Sequence, residues 1–377
     1  MTQQLLENTD GSYASLDGFF TSLGCRKLLL VCGGSIRRLA LNAYFETLPA
    51  RLGISVTRFS DFSPNPTYES VEKGVSRFRE TGCDCIAAVG GGSAMDVAKC
   101  IKLYAPMEPG TLYLSQEITP SPIPFLAVPT TAGTGSEATR FAVIYYRGEK
   151  QSVSHPSAIP DAVLLDPQVL DTLPEYQRKA TMLDALCHSV ESFWSVHATP
   201  ESQADAARAI AGIRAHRDGY LANTPEGNAG MLLSANLAGK AINVTQTTAG
   251  HAMCYKLTSL YGLAHGHAAA LCVRVLFPYM VSADPGLCAD PRGLEYLRAM
   301  FSDLARAMGC DGAAHAAERF DGFVEELHLP PIRPRQEDLD ILTRSVNPVR
   351  LKNNPVRLSQ EALEALYRQI MEEEERK

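Results

Sequence analysis

The sequence has 377 residues, of which 45% are hydrophobic and 20% are charged, which excludes a disordered or fibrous protein and leaves room for two domains. Its 35 basic and 42 acidic residues give a net charge of −7, so no overall positive field is present to hold a nucleic acid. Ten cysteines, several of them in apolar stretches, are too sparse for a disulfide scaffold and favour a reducing cytoplasm.

No targeting or membrane segment is visible in the sequence. The N-terminal residues MTQQLLENTDGS lack the basic start and apolar core of a signal peptide. The apolar run 268–277 is too short for a membrane span and is interrupted by Arg274. We therefore expect a cytoplasmic protein with no membrane partner, assembled as a homo-oligomer such as a dimer.

The first half of the chain alternates short β-rich runs with amphipathic segments. The predicted strands are 27–32, 54–59, 85–90, 125–130 and 162–166, and a hairpin is expected around the turn 147–150. Amphipathic segments follow the first three strands, at 36–48, 68–81 and 94–103. This order is typical of βαβ units in a parallel sheet that is buried on both faces.

The second half shows helical spacing with almost no strand signal. The clearest predicted helices are 176–196, 201–222, 228–245, 268–281 and 360–374. We therefore predict an α/β domain over residues 1–168 and an all-α domain over residues 169–377.

Three loops after predicted strands carry glycines and hydroxyl side chains: CGGS at 32–35, GGGSAMDVAK at 90–99 and PTTAGTGSE at 129–137. Such loops let a backbone approach pyrophosphate, and the next helix start attracts the anion. A tight turn that binds nothing is the alternative, but several such loops at one sheet edge favour a Rossmann-like dinucleotide site. The predicted contacts are Gly33, Gly34, Ser35, Gly91, Gly92, Ser93, Thr130, Thr131, Thr134 and Ser136.

The first of these loops bears on the choice of cofactor. Gly33 and Gly34 carry no carboxylate for an adenosine ribose, and Arg37 and Arg38 follow closely. We therefore favour NADP(H) over NAD(H), with solvated helix charges as the alternative reading of the two arginines.

Four residues of the helical half form a candidate metal site. Asp184 and His188 are one helical turn apart, and a helix, a turn and a second helix start could bring His251 and His265 together. Imidazole and carboxylate suit Fe²⁺, Zn²⁺, Mn²⁺ or Ni²⁺ equally. Each histidine alone would more often be an ordinary core or surface residue. Glu191 could support the site from behind, although we expect an exposed helix carboxylate.

The sequence also lacks the motifs of several hydrolases and kinases. It has no HExxH, GxSxG or P-loop pattern, so a zincin protease, an α/β hydrolase or a P-loop kinase is not indicated.

Taken together, these motifs resemble the iron-containing, or group III, alcohol dehydrogenase family along essentially the whole chain. The resemblance implies an α/β dinucleotide-binding domain, an all-α metal and substrate domain, and metal ligation by Asp184, His188, His251 and His265. It also implies that Asp96 of the glycine loop and Lys150 contact the cofactor. The segment at 32–35 is similar to that of NADPH-preferring members.

One position departs from the family pattern. Many members carry a histidine four residues after the third ligand, where this chain has Tyr255, and an additional His267 follows His265. We expect Tyr255 and His267 to contact substrate or relay a proton, with a core tyrosine and a surface histidine as the alternatives.

The segments 249–268 and 345–359 look most like the branch that reduces phosphonoacetaldehyde to 2-hydroxyethylphosphonate. A phosphonate needs cationic partners, and Arg140, Lys256 and Arg274 are the candidates, unless they are ordinary surface or cofactor charges. The alternatives are reduction of lactaldehyde, butyraldehyde or succinic semialdehyde, a dehydroquinate-synthase-like metal cyclase, or a sensor without turnover.

Overall fold

A computed structural model describes residues 3–6, 8 and 11–376 of the chain. Part of the N-terminal segment inspected for a signal peptide, residues 1, 2, 7, 9 and 10, lies outside this range. Within it, no helix combines the length and the apolar character that crossing a membrane requires.

The chain folds into two compact units. Unit 1 contains residues 1–131, 135–173 and 223–232, and unit 2 contains residues 132–134, 174–222 and 233–377. We predicted a single crossing of the chain between residues 168 and 169. In the structure two short stretches depart from this division: residues 132–134 belong to unit 2, and residues 223–232 belong to unit 1.

The described strands all belong to unit 1. They are β1 (Gln4–Leu6), β2 (Lys27–Cys32), β3 (Ser55–Phe59), β4 (Cys85–Gly90), β5 (Phe125–Pro129), β6 (Phe141–Tyr146), β7 (Glu149–Ser154) and β8 (Ala162–Leu164). Six of them form a parallel sheet in the order β1-β8-β5-β4-β2-β3, and β6 and β7 form the expected antiparallel hairpin.

The centre of the sheet explains why its strands read as continuous apolar runs. Leu28–Cys32 of β2 and all of β4 are buried, so both faces are covered, as is usual for a parallel sheet. From β2 the chain continues to β3 on one side and then to β4 on the other. The loops after β2 and β4 therefore flank the switch point of strand order, where ligands of such sheets bind.

The helices are numbered in chain order. In unit 1 they are α1 (Ala14–Ser22), α2 (Leu41–Leu52), α3 (Tyr68–Thr81) and α4 (Gly92–Tyr104). The remaining helices are α5 (Glu175–Trp194), α6 (Pro200–Leu221), α7 (Pro225–Thr245), α8 (Ala249–Tyr261), α9 (His265–Ser282), α10 (Leu294–Ala307), α11 (Ala313–Glu325), α12 (Asp338–Arg344), α13 (Pro348–Leu351) and α14 (Gln360–Glu375).

Helix α5 is the centre of unit 2. Every residue from Met182 to Trp194 is buried, and α6, α9 and α10 pack around the helix. A helix that is covered on all sides can place polar side chains away from water, and those of α5 include Asp184, His188 and Glu191.

Two parts of unit 1 differ from the sequence prediction. The amphipathic segment 36–48 was expected to be one element, but a short 3₁₀ helix, Gly34–Arg38, is followed by extended Leu39 before α2 begins. The edge strand β1 was not predicted, and it is fixed by pairing with β8, more than 150 residues later in the chain.

Candidate metal centre and cofactor loops

Helix α5 points Asp184 and His188 into the interior of unit 2. They are 2% and 5% exposed, and His188 Nε2 lies 3.8 Å from Asp184 Oδ1. The four-residue spacing places both side chains on one face of the helix, as the sequence indicated.

Helix α8 brings His251 to the same point. Its Nε2 lies 3.4 Å from Asp184 Oδ1, and its ring stacks on that of His188 with centroids 4.5 Å apart. One ligand atom from each of Asp184, His188 and His251 can be chosen so that all three lie within 4.8 Å of one another. Three separate positions in the sequence therefore converge on one buried point.

Glu191 supports His251 from behind. It is fully buried, and its Oε1 accepts hydrogen bonds from Thr248 N (3.0 Å), Thr248 Oγ1 (2.7 Å) and His251 N (3.2 Å). Its Oε2 pairs with His251 Nδ1. The expectation of an exposed carboxylate was wrong, because α5 has no exposed face at this position.

The charges around this point shape the pKa values of the cluster. Burial alone would raise the pKa of Asp184, but the adjacent His188, His265 and His251 hold it below the ordinary value. Burial opposes protonation of His251, yet the negative charge of Glu191 and Asp184 raises its pKa to about 9. Two buried carboxylates therefore favour a positive charge at this position.

Three atoms of the cluster allow a direct test of its fit to a cation. Asp184 Oδ1, His188 Nδ1 and His251 Nε2 are buried and have no hydrogen-bond partner in the described part of the chain. Buried polar atoms without partners are costly and call for an explanation. A carboxylate oxygen and imidazole nitrogens suit a divalent transition metal, so the residues fit the ion that the sequence predicted.

His265 lies beside this group at the first turn of α9. Its ring centroid is 5.2 Å from that of His251, and Cys254 Sγ is 3.7 Å from its Nδ1. The next residue, Gly266, permits this approach, because a Cβ there would meet Ala180 O at 2.0 Å and Asp184 Cβ at 2.6 Å. Ligation by His265 stays a prediction.

The two residues predicted to contact substrate or relay a proton have different neighbours. The Tyr255 ring stacks on His265 with centroids 5.5 Å apart. His267 is 1% exposed rather than a surface residue, and its Nδ1 lies 3.1 Å from Tyr176 Oη, which accepts a hydrogen bond from Ala264 N.

In unit 1, two of the predicted cofactor loops adjoin. Thr130 N donates to Gly90 O at 3.0 Å, and a Cβ on Gly91 would meet the Thr131 side chain at 3.3 Å. No side chain in the described residues caps the start of α4, which begins at Gly92 with Ser93 next. This leaves the first N–H groups of α4 for another acceptor.

The buried Lys99 and the half-buried Asp96 lie behind these loops and share contacts with Ser136. Lys99 Nζ donates to Ser136 O (2.6 Å) and Phe141 O (2.7 Å), and it lies 3.0 Å from both Ser136 Oγ and Thr139 Oγ1. Ser136 Oγ also donates to Asp96 Oδ1 at 3.4 Å. Internal contacts therefore already engage the Ser136 hydroxyl, and its contact with a cofactor stays a prediction. Lys99 itself was missed, although it ends the quoted glycine motif.

Burial dominates the pKa values of this pair. It raises the pKa of Asp96 to about 6, although Lys99 and Lys150 oppose the change. It lowers the pKa of Lys99 to about 8 against the attraction of Asp96. Titratable groups held away from their ordinary pKa occur preferentially at functional sites.

The other predicted cofactor residues are dispersed. Gly33 is half-buried, whereas Gly34, Ser35, Arg37 and Arg38 are exposed. Thr134 lies in the 132–134 stretch of unit 2, where the adjacent glycine at 133 packs against Thr181 of α5.

The three side chains predicted to bind a phosphonate differ in burial and in their ion-pair partners. Arg140 and Lys256 are half-buried, in units 1 and 2 respectively. Arg274 is buried, and its guanidinium is paired with the carboxylates of Asp321, Glu325 and Glu373. These acidic side chains on α11 and α14 already neutralise its charge, which argues against a phosphonate contact, and the role of Arg274 stays a prediction.

Comparison with known proteins agrees with this geometry. The family described as "Iron-containing alcohol dehydrogenase" matches residues 7–167, and its C-terminal counterpart matches residues 179–371. The chain belongs to the iron-containing alcohol dehydrogenase family. It is accordingly an oxidoreductase that acts on CH–OH groups, as the resemblance implied.

Individual relatives cover most of the chain. A phosphonoacetaldehyde reductase of Streptomyces viridochromogenes is 33% identical over 323 residues, 82% of each protein. A 1,3-propanediol dehydrogenase of Klebsiella pneumoniae is 32% identical over 92% of each. The solved sulfoacetaldehyde reductase of Bifidobacterium kashiwanohense, in complex with NAD⁺, shares the fold with a TM-score of 0.85, at 24% identity and 98% and 97% coverage.

Proposed function

We propose that this iron-type alcohol dehydrogenase reduces phosphonoacetaldehyde to 2-hydroxyethylphosphonate with NADPH. In this reaction the carbonyl carbon takes a hydride from NADPH, the oxygen takes a proton, and NADP⁺ is released. The observation that carries the proposal of a metal-dependent reductase is the buried group of Asp184, His188 and His251, with three side-chain atoms that lack hydrogen-bond partners among the described residues. The identity of the aldehyde rests on the 33% identical reductase.

The metal site would use Asp184, His188, His251 and His265 as ligands. A divalent cation bound there, Fe²⁺ or one of Zn²⁺, Mn²⁺ and Ni²⁺, supplies a Lewis acid that polarises the aldehyde oxygen. The contribution of Glu191 is to hold His251 Nδ1, which keeps the proton on that nitrogen and leaves Nε2 as a donor. Burial of Asp184, His188, Glu191 and His251 excludes water and strengthens their electrostatic effect on the carbonyl.

The cofactor would bind at the switch point of the sheet. Backbone N–H groups at Gly91, Gly92 and Ser93 are proposed to receive the pyrophosphate, with Thr130 and Thr131 beside them. Asp96 and Lys150 remain proposed contacts further along the dinucleotide, and Thr134 remains a proposed hydroxyl contact.

The preference for NADPH rests on the first loop. Gly33, Gly34 and Ser35 carry no acidic side chain against the ribose, and the exposed Arg37 and Arg38 are available to a 2′-phosphate. This proposal predicts at least about a tenfold lower KM for NADPH than for NADH, since a charge-assisted hydrogen bond contributes about 1.5–3 kcal/mol.

Reduction of a short uncharged aldehyde is a second candidate function. It is favoured by the similarity to a 1,3-propanediol dehydrogenase, which extends over 92% of both chains. Arg140 and Lys256 remain candidate phosphonate contacts under the first proposal and would have no substrate role under the second.

Initial rates of NADPH oxidation with a panel of aldehydes separate the candidates. The panel contains phosphonoacetaldehyde, lactaldehyde, butyraldehyde and succinic semialdehyde. We expect kcat/KM for phosphonoacetaldehyde to exceed that for butyraldehyde at least about tenfold, the effect of one charge-assisted contact. Equal values would reject the phosphonate substrate, and no net oxidation with any aldehyde would reject reductase activity.

A further inference from the structure

The stack beside His265 contains a third member that the sequence reasoning did not single out. Arg350 Nη1 donates a hydrogen bond to Tyr255 Oη at 2.9 Å, and the guanidinium carbon lies 5.0 Å from the centroid of the Tyr255 ring. Tyr255 in turn stacks on His265. A cationic side chain is thus one ring away from a predicted metal ligand, within unit 2.

Arg350 differs from the buried arginine of α9 in its partners. The guanidinium of Arg274 is paired with three carboxylates. No carboxylate in the described part of the chain lies within 4 Å of the Arg350 guanidinium, whose assigned partner is the neutral Tyr255 hydroxyl. A half-buried guanidinium with no negative partner retains N–H groups for an anion.

The backbone that carries Arg350 is fixed in place. Asn347 caps the start of α13 by accepting a hydrogen bond from Val349 N at 2.9 Å. Beyond α13, Asn353 donates to Thr247 O at 3.1 Å, and its carbonyl accepts from Val196 N at 3.1 Å. These bonds tie the segment to the loop before α8 and to the end of α5, so Arg350 is held beside the metal ligands.

We infer that Arg350, oriented by Tyr255, forms the subsite that binds the phosphonate end of the substrate, an inference that rests on the proposed function. The Tyr255 oxygen accepts a hydrogen bond from Arg350 Nη1 and so holds the guanidinium beside His265. The guanidinium supplies further N–H groups in the fork geometry that suits phosphonate oxygens.

The size of the substrate agrees with this placement. The phosphorus of phosphonoacetaldehyde is two bonds from the carbonyl carbon, so the anion subsite must adjoin the group that polarises the carbonyl. Contact between the Tyr255 ring and His265 provides that proximity. It also gives the tyrosine, found where many family members carry a histidine, a role in substrate binding.

The test compares Arg350→Gln, Arg350→Lys and Tyr255→Phe with the wild-type enzyme on a charged and an uncharged aldehyde. Arg344→Gln is the matched control, since Arg344 lies on the neighbouring α12 and its exposed guanidinium pairs only with Asp340 among the described residues. Circular dichroism and thermal unfolding establish that each variant is folded.

For Arg350→Gln we expect KM for phosphonoacetaldehyde to rise about 10- to 100-fold, the effect of losing charge-assisted hydrogen bonds, with a smaller change in kcat. With butyraldehyde, kcat/KM should stay within about twofold, because that substrate makes no ionic contact. Arg350→Lys should restore part of the loss, since lysine keeps the charge but not the fork. Tyr255→Phe should show a smaller loss confined to the phosphonate, and Arg344→Gln no loss.

An equal loss on both aldehydes would show that Arg350 only supports the fold, and an unchanged KM for phosphonoacetaldehyde would show that it does not bind the anion. Either result overturns the inference. Calorimetry with ethylphosphonate, which lacks the aldehyde, separates this outcome from failure of the proposed function. If the wild type does not prefer phosphonoacetaldehyde, the substrate proposal fails. The subsite then stands only if ethylphosphonate binds the wild type at least about tenfold more tightly than Arg350→Gln.

Discussion

Replacing Glu191 by glutamine removes one charge behind the proposed metal site without changing the size of the side chain. In the wild type, Oε2 of Glu191 pairs with His251 Nδ1, while Oε1 accepts from Thr248 and from the His251 backbone. A glutamine oxygen can keep the bonds to Thr248. Its NH₂ group then faces His251 Nδ1. Because the NH₂ group donates a hydrogen bond, Nδ1 must accept that bond instead of donating one.

That reversal changes which nitrogen of His251 carries the proton. If Nδ1 accepts, the neutral ring bears its proton on Nε2, the atom that lies 3.4 Å from Asp184 Oδ1 and has no hydrogen-bond partner within residues 3–6, 8 and 11–376. A protonated Nε2 cannot donate electrons to a cation. When a metal-binding histidine loses the hydrogen-bond partner of its other ring nitrogen, metal affinity typically falls about 10- to 100-fold, or about 1.4–2.8 kcal/mol.

Chelator competition with Zn²⁺ or Fe²⁺ measures the affinity directly. The metal-dependent increase in unfolding free energy should also fall by about 1.4–2.8 kcal/mol at a fixed excess of metal, because it follows the logarithm of the affinity. Glu175→Gln is the control, since it removes the same charge from the exposed first turn of α5. Unchanged metal affinity in Glu191→Gln, or an equal change in both variants, would refute the role assigned to Glu191.

Three further changes test other parts of the structure. His265→Ala should abolish both metal retention, measured by elemental analysis, and turnover; retention of a full equivalent of metal with normal rates would remove His265 from the ligand set. Gly266→Ala should destabilise unit 2 by about 1–3 kcal/mol in chemical unfolding and weaken metal binding, because the new Cβ meets Ala180 O; wild-type stability and affinity would contradict this. Asp96→Asn should stabilise the cofactor-free protein by about 3 kcal/mol near pH 7.5, because burial raises the folded pKa from 3.8 to about 6 and the ionised carboxyl is costly above that pH. This advantage should shrink as the pH falls from 6 towards 4, where both folded and unfolded carboxyls become protonated, and a difference independent of pH would contradict the explanation.

The proposed metal ligands were accessible to sequence reasoning because helical spacing is a local property. Four residues separate Asp184 from His188, so one face follows directly from the helix. The helix–turn–helix expected between His251 and His265 was also predictable from a local signal, the glycine at 262. In the structure Gly262 ends α8 in a left-handed conformation (φ 65°) before α9 starts.

The environment of those residues was not accessible in the same way. Glu191 was expected at the surface, because charged helix residues are usually exposed. Its burial depends on the packing of α6, α9 and α10 around α5, and on the return of Thr248 and His251 from nearly 60 residues later. The surroundings of Arg274 were hidden for the same reason: Asp321, Glu325 and Glu373 reach it from two helices distant in sequence.

Short elements of the sheet domain show a related difficulty. The three-residue strand β1 has no pattern of its own, and its backbone is specified by the partner β8. Between Gly34 and Leu39 the chain forms a 3₁₀ turn followed by an extended residue, so hydrophobic spacing alone placed the helix start several residues too early.

Titration of the metal-stripped enzyme with Fe²⁺ under anaerobic conditions, followed through the rate of NADPH oxidation with aldehyde, tests the central claim most directly. If Asp184, His188 and His251 hold the cation that polarises the substrate, the stripped enzyme should be inactive, and activity should reach a plateau at one ion per chain. Full activity before any metal is added would contradict the assignment.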